Sequence, residues 1–155
     1  MKNLAYQDII KENITIILTF VFSRERLQEI SNDRTLGEWK FLGDAVSEAT
    51  LARAERAALE LGILFRLLDD KYKIPNYFKD KKTIVFGLIS GGSESGQHLS
   101  AREMSNKIVH AQDLKWDTRS SKEPKLICIS NQPDRWQSAE IDVLKLALLC
   151  SQLMR

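Results

Sequence analysis

The segment 53–68 carries one apolar stripe at helical spacing, and this stripe constrains the fold more than any other feature of the chain. The stripe consists of Ala54, Ala57, Ala58, Leu61, Leu64, Phe65 and Leu68. Charged residues such as Arg53 and Arg66 fall on the other sides of the helix, as expected for an amphipathic helix that buries one face. Pro75 predicts that the helix ends at or soon after Asp69-Asp70, because a proline drives the preceding residue out of the helical conformation. The segment is therefore predicted to be the central core helix.

Three other segments carry further helical patterns. Residues 14–22 have apolar side chains at helical spacing, which favours a helix, although their β-branched content also suits a buried strand. Residues 36–42 form a short amphipathic element that carries Trp39. The C-terminal segment 143–154 has an apolar arc that is too wide for a solvated helix, so it is expected to dock in the core or at a subunit interface.

Residues 125–141 predict a β-hairpin. The first part alternates apolar and polar side chains, Asn131-Gln132-Pro133-Asp134 supplies turn residues, and residues 135–141 return as a second strand. Residues 83–89 are short and apolar, and the pattern leaves them open between strand and helix. The chain is therefore predicted to be mainly α, a helical bundle of four to five helices with a short β-hairpin before the C-terminal helix.

The length of 155 residues is typical of a single domain. Residues 1–155 are therefore interpreted as one helical domain, with the hairpin at 125–141 as an insertion. Cys128 and Cys150 lie far apart in apolar surroundings, which predicts two buried reduced thiols. The most apolar run, residues 14–22, is far shorter than the ~20 residues needed to cross a membrane. These features favour a cytoplasmic protein with no membrane partner.

The charges of the chain nearly balance. Its 23 Lys and Arg against 21 Asp and Glu leave a formal net charge of +2, and no segment resembles a helix-turn-helix with a basic recognition face. Sequence-specific DNA binding is therefore not expected. The glycine-rich stretch 91–96 lacks the Lys-Ser/Thr ending of a P-loop and contains Glu94, so it is interpreted as a flexible connector. No cofactor and no metal are predicted.

The clearest helix start in the chain is at Ser100. Ser100 and Glu103 have the spacing of a capping box, and Leu99 with Met104 occupies the positions of a hydrophobic staple. These signals predict a helix from residue 101 to about residue 114.

Arg102, Asn106 and His110 lie at four-residue steps and share one flank of this predicted helix. An imidazole can transfer protons near neutral pH, a guanidinium can hold a phosphate through two hydrogen bonds, and an amide can orient either group. These three residues are the candidate catalytic residues, and Lys107 is the candidate binding residue. The structural alternative is that His110 and Asn106 only satisfy each other's hydrogen bonds.

The string Ser105-Asn106-Lys107-Ile108-Val109-His110-Ala111 resembles the signature helix of the HEPN family of helical nucleotide-binding domains. Similar helices occur in uncharacterised prokaryotic families. The HEPN pattern is an arginine, often followed by an asparagine, and then a histidine four to six residues after the arginine. Asn106 and His110 match the asparagine and the histidine, whereas Ser105 stands at the arginine position and Arg102 lies one turn earlier.

The resemblance implies a homodimer formed through this helix, with two copies of the polar flank facing each other across a two-fold axis. In active HEPN members that cleft is a metal-independent ribonuclease site. His110 would be the acid or base, Asn106 would orient it, and Arg102 or Lys107 would stabilise the phosphorane charge on a bound RNA or nucleotide. Because Ser105 replaces the arginine, the sequence favours a non-catalytic dimerisation or interaction module in a defence setting, with the ribonuclease as the alternative. The ribonuclease predicts His110 in an open polar cleft, and the interaction module predicts a buried His110.

Overall fold

Two long helices pack side by side and contribute much of the core. The computed structural model describes residues 4–33, 38–77 and 84–155. The helices are α1 (Leu4–Asp33) and α2 (Glu38–Tyr72). They run antiparallel, since Asn13 early in α1 donates from Nδ2 to Oε2 of Glu60 late in α2, over 3.1 Å.

A four-stranded sheet and two shorter helices complete the fold. After α2 come a 3-10 turn (Ile74–Tyr77), β1 (Gly87–Ser90), α3 (Ala101–Val109), β2 (Ala111–Asp117), β3 (Lys125–Ser130), β4 (Ser138–Asp142) and α4 (Val143–Leu153). The strands pair in the order β1-β4-β3-β2, and every pair is antiparallel. The predicted hairpin is β3 with β4, at the centre of the sheet. The prediction of a mainly α fold with a β-hairpin before the C-terminal helix is confirmed.

The predicted stripe of α2 lies at the centre of the core. All of its residues are at most 6% exposed, and Phe65 is fully buried. The segment 14–22 lies within α1, so it is a helix and not the buried strand that its β-branched content also suited. The C-terminal helix α4 docks in the core through Val143, Leu146, Leu149, Cys150 and Leu153. The apolar spacing of the sequence therefore identified the elements that meet in the core.

Two element boundaries predicted from the sequence are wrong. Residues 36–42 are not a separate element, because the helix that begins at Glu38 continues without a break to Tyr72. Residues 34–37 and the Trp39 side chain lie outside the described residues. The helix predicted to reach residue 114 ends at Val109, with His110 as its C-cap, and β2 follows at once.

The burial of Trp116 explains why residues 111–114, which were predicted to be helical, form a strand in the structure. Trp116 is 8% exposed and lies opposite Leu126 in the β2–β3 pairing. Its ring meets Phe20 of α1 edge-on, with 5.3 Å between the ring centroids. Packing of the sheet against α1 thus outweighs the helical spacing of the local sequence. The pattern of residues 83–89 fitted both a strand and a helix. Residue 83 lies outside the described residues, and the segment is a strand from Gly87 onward because it pairs with β4.

We call one end of the helical pair the distal arm. It consists of residues 22–33 of α1 and residues 38–53 of α2. No described side chain in the distal arm is buried. The two helices nevertheless touch, since a Cβ at Gly43 would overlap Ser31. Phe22 and Leu42 are about half exposed, at 50% and 55%, and Phe41 is 83% exposed. Most of the distal arm therefore extends beyond the core, and only its base contacts it, through Leu51 and through the hydrogen bond from Arg24 to the Trp116 carbonyl.

Both cysteines are buried and free, as the sequence predicted. Burial raises the pKa of the Cys128 and Cys150 thiols to about 12, so the reactive thiolate form is scarce at neutral pH. Among the described helices, none has a stretch that is long and apolar enough to span a membrane.

Candidate functional site

An open polar pocket of about 530 Å³ lies where α3 meets three other parts of the chain. Its walls come from Arg66 of α2, the glycine-rich loop after β1, the C-terminal half of α3 and the β3–β4 connection. The lining includes the cations Arg66, Lys107 and Arg135, the imidazole of His110, and the carboxylates of Glu94 and Glu103. Such a concentration of charged side chains in one concave surface is typical of a site for a charged ligand.

Helix α3 is fixed firmly against α2, and this positions the pocket residues. The Ser100 hydroxyl caps its first turn by accepting from the Glu103 N–H over 3.2 Å, as predicted. Met104 and Ile108 are at most 1% exposed. A Cβ at Gly62 of α2 would lie 2.9 Å from Ile108 Cγ2, so only a glycine lets α3 approach this closely. One turn after Gly62, Arg66 reaches the end of α3.

His110 is exposed at the C-terminus of α3 and lies beside Arg66. Its Nε2 is 3.4 Å from Nη1 of Arg66. A guanidinium can only donate, so a hydrogen bond between these two atoms requires Nε2 to be the acceptor. The backbone N–H of His110, the C-cap residue of α3, donates to the Asn106 carbonyl over 2.9 Å. The imidazole is therefore held by its backbone, while its ring faces the pocket.

The Asn106 side chain also lines the pocket and has an unpaired oxygen. Its Oδ1 is shielded from solvent and has no hydrogen-bond partner among the described residues. Shielding a polar atom without a partner costs free energy, about 1–3 kcal/mol in mutational data. Because the atom is shielded, a ligand can reach this oxygen only after the Asn106 side chain turns.

Lys107 is buried and forms a cluster with Glu94, Trp136 and the exposed Arg135. Only 7% of the Lys107 side chain is exposed, and its Nζ donates to Glu94 Oε2 over 2.6 Å. The ammonium also lies 4.6 Å from the centroid of the Trp136 ring. Arg135 Nη2 donates to the other oxygen of Glu94 over 3.0 Å. The hydrogen bond from Lys107, followed by that from Arg135, lowers the pKa of Glu94 below its ordinary value of 4.5.

Of the residues predicted from the sequence, the pocket brings together Asn106, Lys107 and His110 but not Arg102. The Arg102 guanidinium donates to Asp69 Oδ2 over 3.1 Å and to Asp70 Oδ1. Asp69 is buried, and its Oδ1 also accepts from the Ile74 N–H over 3.0 Å. Arg102 thus ties α3 to the end of α2, outside the pocket lining.

Ser105, at the arginine position of the HEPN pattern, is fully buried. Its hydroxyl donates to the Ala101 carbonyl over 2.8 Å. The guanidinium beside His110 comes instead from Arg66, which the sequence had placed only on the polar side of α2. Arg135 and Glu94 are further pocket residues that sequence reasoning missed. Two signals could have pointed to them: the single carboxylate in the glycine-rich stretch and the cation next to the predicted hairpin turn.

Replacing Arg102 with glutamine should lower the melting temperature by a small amount, on the order of 2 °C, because the partly exposed guanidinium is screened by water. The loss of stability arises at buried Asp69. Its carboxylate still accepts the hydrogen bond from the Ile74 N–H, but it no longer has the ion pair with Arg102. Thermal unfolding followed by circular dichroism measures the change. Arg56→Gln removes a more exposed cation from an ion pair with Glu60 on α2 and should lower the melting temperature less. An equal decrease in both variants would contradict the assigned role of Arg102.

Comparison of the chain with models of protein families, with curated proteins and with solved structures found no match. The described residues also contain no group of three or more His, Cys, Asp or Glu side chains placed to hold a metal ion.

Proposed function

We propose that this protein binds single-stranded RNA in the polar pocket and that His110 acts as an acid or base in cleaving it. The observation that carries the proposal is the exposed His110 imidazole beside the Arg66 guanidinium at the mouth of the pocket. An arginine can hold a phosphate oxygen, and the adjacent imidazole can move a proton at the same phosphodiester. The resemblance of α3 to the HEPN helix favours RNA among the possible phosphodiesters.

The chemistry needs only groups that RNA and the pockets of two facing copies of the chain provide. A base takes the proton of a 2′-hydroxyl, whose oxygen attacks the adjacent phosphorus, and the 5′-oxygen leaves with a proton from an acid. The products are a 2′,3′-cyclic phosphate and a free 5′-hydroxyl. Arg66 would stabilise the charge on the phosphorane, which is the role that Arg102 was predicted to fill. Asn106 also lines the pocket, and its amide would orient the strand by accepting from the ribose or the base after the shielded Oδ1 turns outward.

The homodimer implied by the resemblance is part of this proposal. A second His110 facing the first would supply the acid while the first acts as the base. The non-catalytic interaction module required a buried, hydrogen-bonded His110, and an exposed imidazole at a polar pocket favours the ribonuclease instead. RNA binding without cleavage would instead indicate a non-catalytic RNA-binding module.

Binding can be tested separately from cleavage with a matched pair of arginine variants. Arg66→Gln should weaken the binding of a single-stranded RNA about tenfold, because a hydrogen-bonded charge at the phosphate is lost. Fluorescence anisotropy of a labelled oligonucleotide at fixed salt measures the dissociation constant.

Arg53→Gln is the control for this test. Arg53 is an exposed cation earlier in α2 and lies outside the pocket lining. The substitution removes the same charge from the same helix, and screening by salt should keep its effect below about twofold. Equal losses in the two variants would mean that RNA binds by general electrostatic attraction and not in the pocket.

A further inference from the structure

The carboxylate of Glu94 lies among the pocket cations in the way that a bound anion would. One of its oxygens accepts from Lys107 over 2.6 Å and the other from Arg135 over 3.0 Å. The Glu94 side chain is 19% exposed and that of Lys107 is 7% exposed. A phosphate group also offers separate oxygens to two cations, and charge-assisted hydrogen bonds of this kind are among the strongest in proteins.

The glycine-rich loop holds Glu94 through its backbone and not through its carboxylate. The Glu94 N–H donates to the Arg135 carbonyl over 2.8 Å, and the Ser93 N–H donates to the Asp134 carbonyl over 2.9 Å. Gly92 packs directly on the backbone of Arg135, where a Cβ would not fit. The Glu94 side chain can therefore rotate away while the loop stays in place.

Lys107 requires an anion whether or not Glu94 supplies it. Its ammonium is almost completely removed from water and is covered on one side by the Trp136 ring. A buried charge without a partner is strongly destabilising. If the Glu94 carboxylate leaves, an anion from solution is expected to take its place beside Lys107 and Arg135.

We propose that the position between Lys107 and Arg135 is a second anion subsite, which Glu94 occupies in the free protein and a phosphate of the ligand occupies in the complex. The inference rests on the proposed function, because Arg66 and His110 hold the first phosphate. The ligand therefore carries at least two phosphate groups, as successive phosphodiesters of an RNA strand do. Since Glu94 competes for the second subsite, ligands with a single phosphate gain less from the pocket.

The test uses the full chain and inorganic phosphate as the probe. Phosphate binding is measured by calorimetry and by thermal shift at constant ionic strength, with chloride as the exchanged anion. Glu94→Gln removes the internal competitor and should tighten phosphate binding about tenfold relative to the unmodified chain. Adding Lys107→Gln to Glu94→Gln should abolish this gain, because the subsite then lacks its buried cation.

Glu103→Gln is the control for the loss of one negative charge from the pocket. Glu103 also lines the pocket, but no ion pair joins its carboxylate to Lys107 or Arg135. Its substitution should change phosphate binding by no more than about twofold, as expected for a screened charge. A gain in Glu94→Gln that is no larger than this, or a gain that survives the loss of Lys107, would overturn the proposal.

The stability of Glu94→Gln gives a second measurement. If the variant melts at a lower temperature in chloride, phosphate should restore the melting temperature, since it replaces the missing carboxylate. A variant that stays unfolded in phosphate would overturn the second subsite. RNA binding by the unmodified chain separates the two proposals. If Glu94→Gln binds phosphate more tightly but the unmodified chain does not bind RNA, the second subsite is supported and the proposed function is rejected. If the chain binds RNA but Glu94→Gln does not bind phosphate more tightly, only the second subsite is rejected.

Discussion

Substituting His110 with alanine is expected to slow RNA cleavage by about a hundredfold or more, the usual range for loss of a general acid or base. The fold should persist, because the side chain is exposed and its hydrogen bond to the helix is made by the backbone. Single-turnover cleavage of a labelled single-stranded RNA, with a metal chelator present, measures the rate. A DNA strand of the same sequence should remain intact, since the attacking 2′-hydroxyl is absent.

The chain contains one other histidine, which provides the matched control. His98 is exposed, lies in a bridge opposite Leu88 and does not line the pocket. His98→Ala should therefore cleave RNA at the rate of the unmodified chain. If purified His110→Ala also retained the full rate, the observed activity would not come from this pocket, and the ribonuclease proposal would be rejected.

Substituting Phe65 with alanine is expected to lower the free energy of unfolding by about 3–5 kcal/mol, the range measured when a large buried aromatic side chain is truncated. Phe65 is fully buried on the α2 stripe, so its removal loses apolar burial and leaves a cavity that the neighbouring helices can fill only in part. Urea unfolding followed by circular dichroism measures the change.

Leu67, two residues along the same helix, is the control for Phe65. It is 58% exposed, and Leu67→Ala should change the free energy of unfolding by no more than about 0.5 kcal/mol. A loss below about 1 kcal/mol in Phe65→Ala would contradict the placement of this face of α2 at the centre of the core. The pair of variants thus tests the element that carries Arg66 without altering Arg66.

Local signals allowed the helical part of the fold to be predicted. The α2 stripe repeats at the helical period, and Ser100 with Glu103 marks the start of α3 within four positions of sequence. The end of α3 could not be found in this way. It depends on the burial of Trp116 against Phe20, a contact with a helix that is distant in sequence.

For the pocket, too, the residues that lie close together in sequence could be predicted, and those that are distant in sequence could not. Asn106, Lys107 and His110 were found because they lie on one helix. Arg66 lies 44 positions from His110, and Glu94 lies 41 positions from Arg135, so only the packed fold brings these pairs together.

The prediction for Arg102 shows the opposite limit of sequence reasoning. The residue has the chemistry of a phosphate ligand and lies on the expected helix, yet its guanidinium is bound by Asp69 and Asp70. From the sequence, these two carboxylates indicate only where α2 ends. The placement of a charged side chain is decided by the partners that the fold supplies, and a helical wheel does not include them.

The distal arm divides the molecule into two regions of different local stability. No described side chain of the distal arm is itself buried, so the amides near its tip are expected to exchange by fraying of the two helix ends. Its base is held more firmly, because Glu25 accepts from the buried Thr118 hydroxyl over 2.7 Å. The amides of α3, by contrast, belong to a helix that buries Met104 and Ile108 in the core, so their exchange is expected to require a larger opening. A ligand bound in the pocket is therefore expected to slow the exchange of the α3 amides, and to leave the exchange of the amides at the tip of the distal arm unchanged.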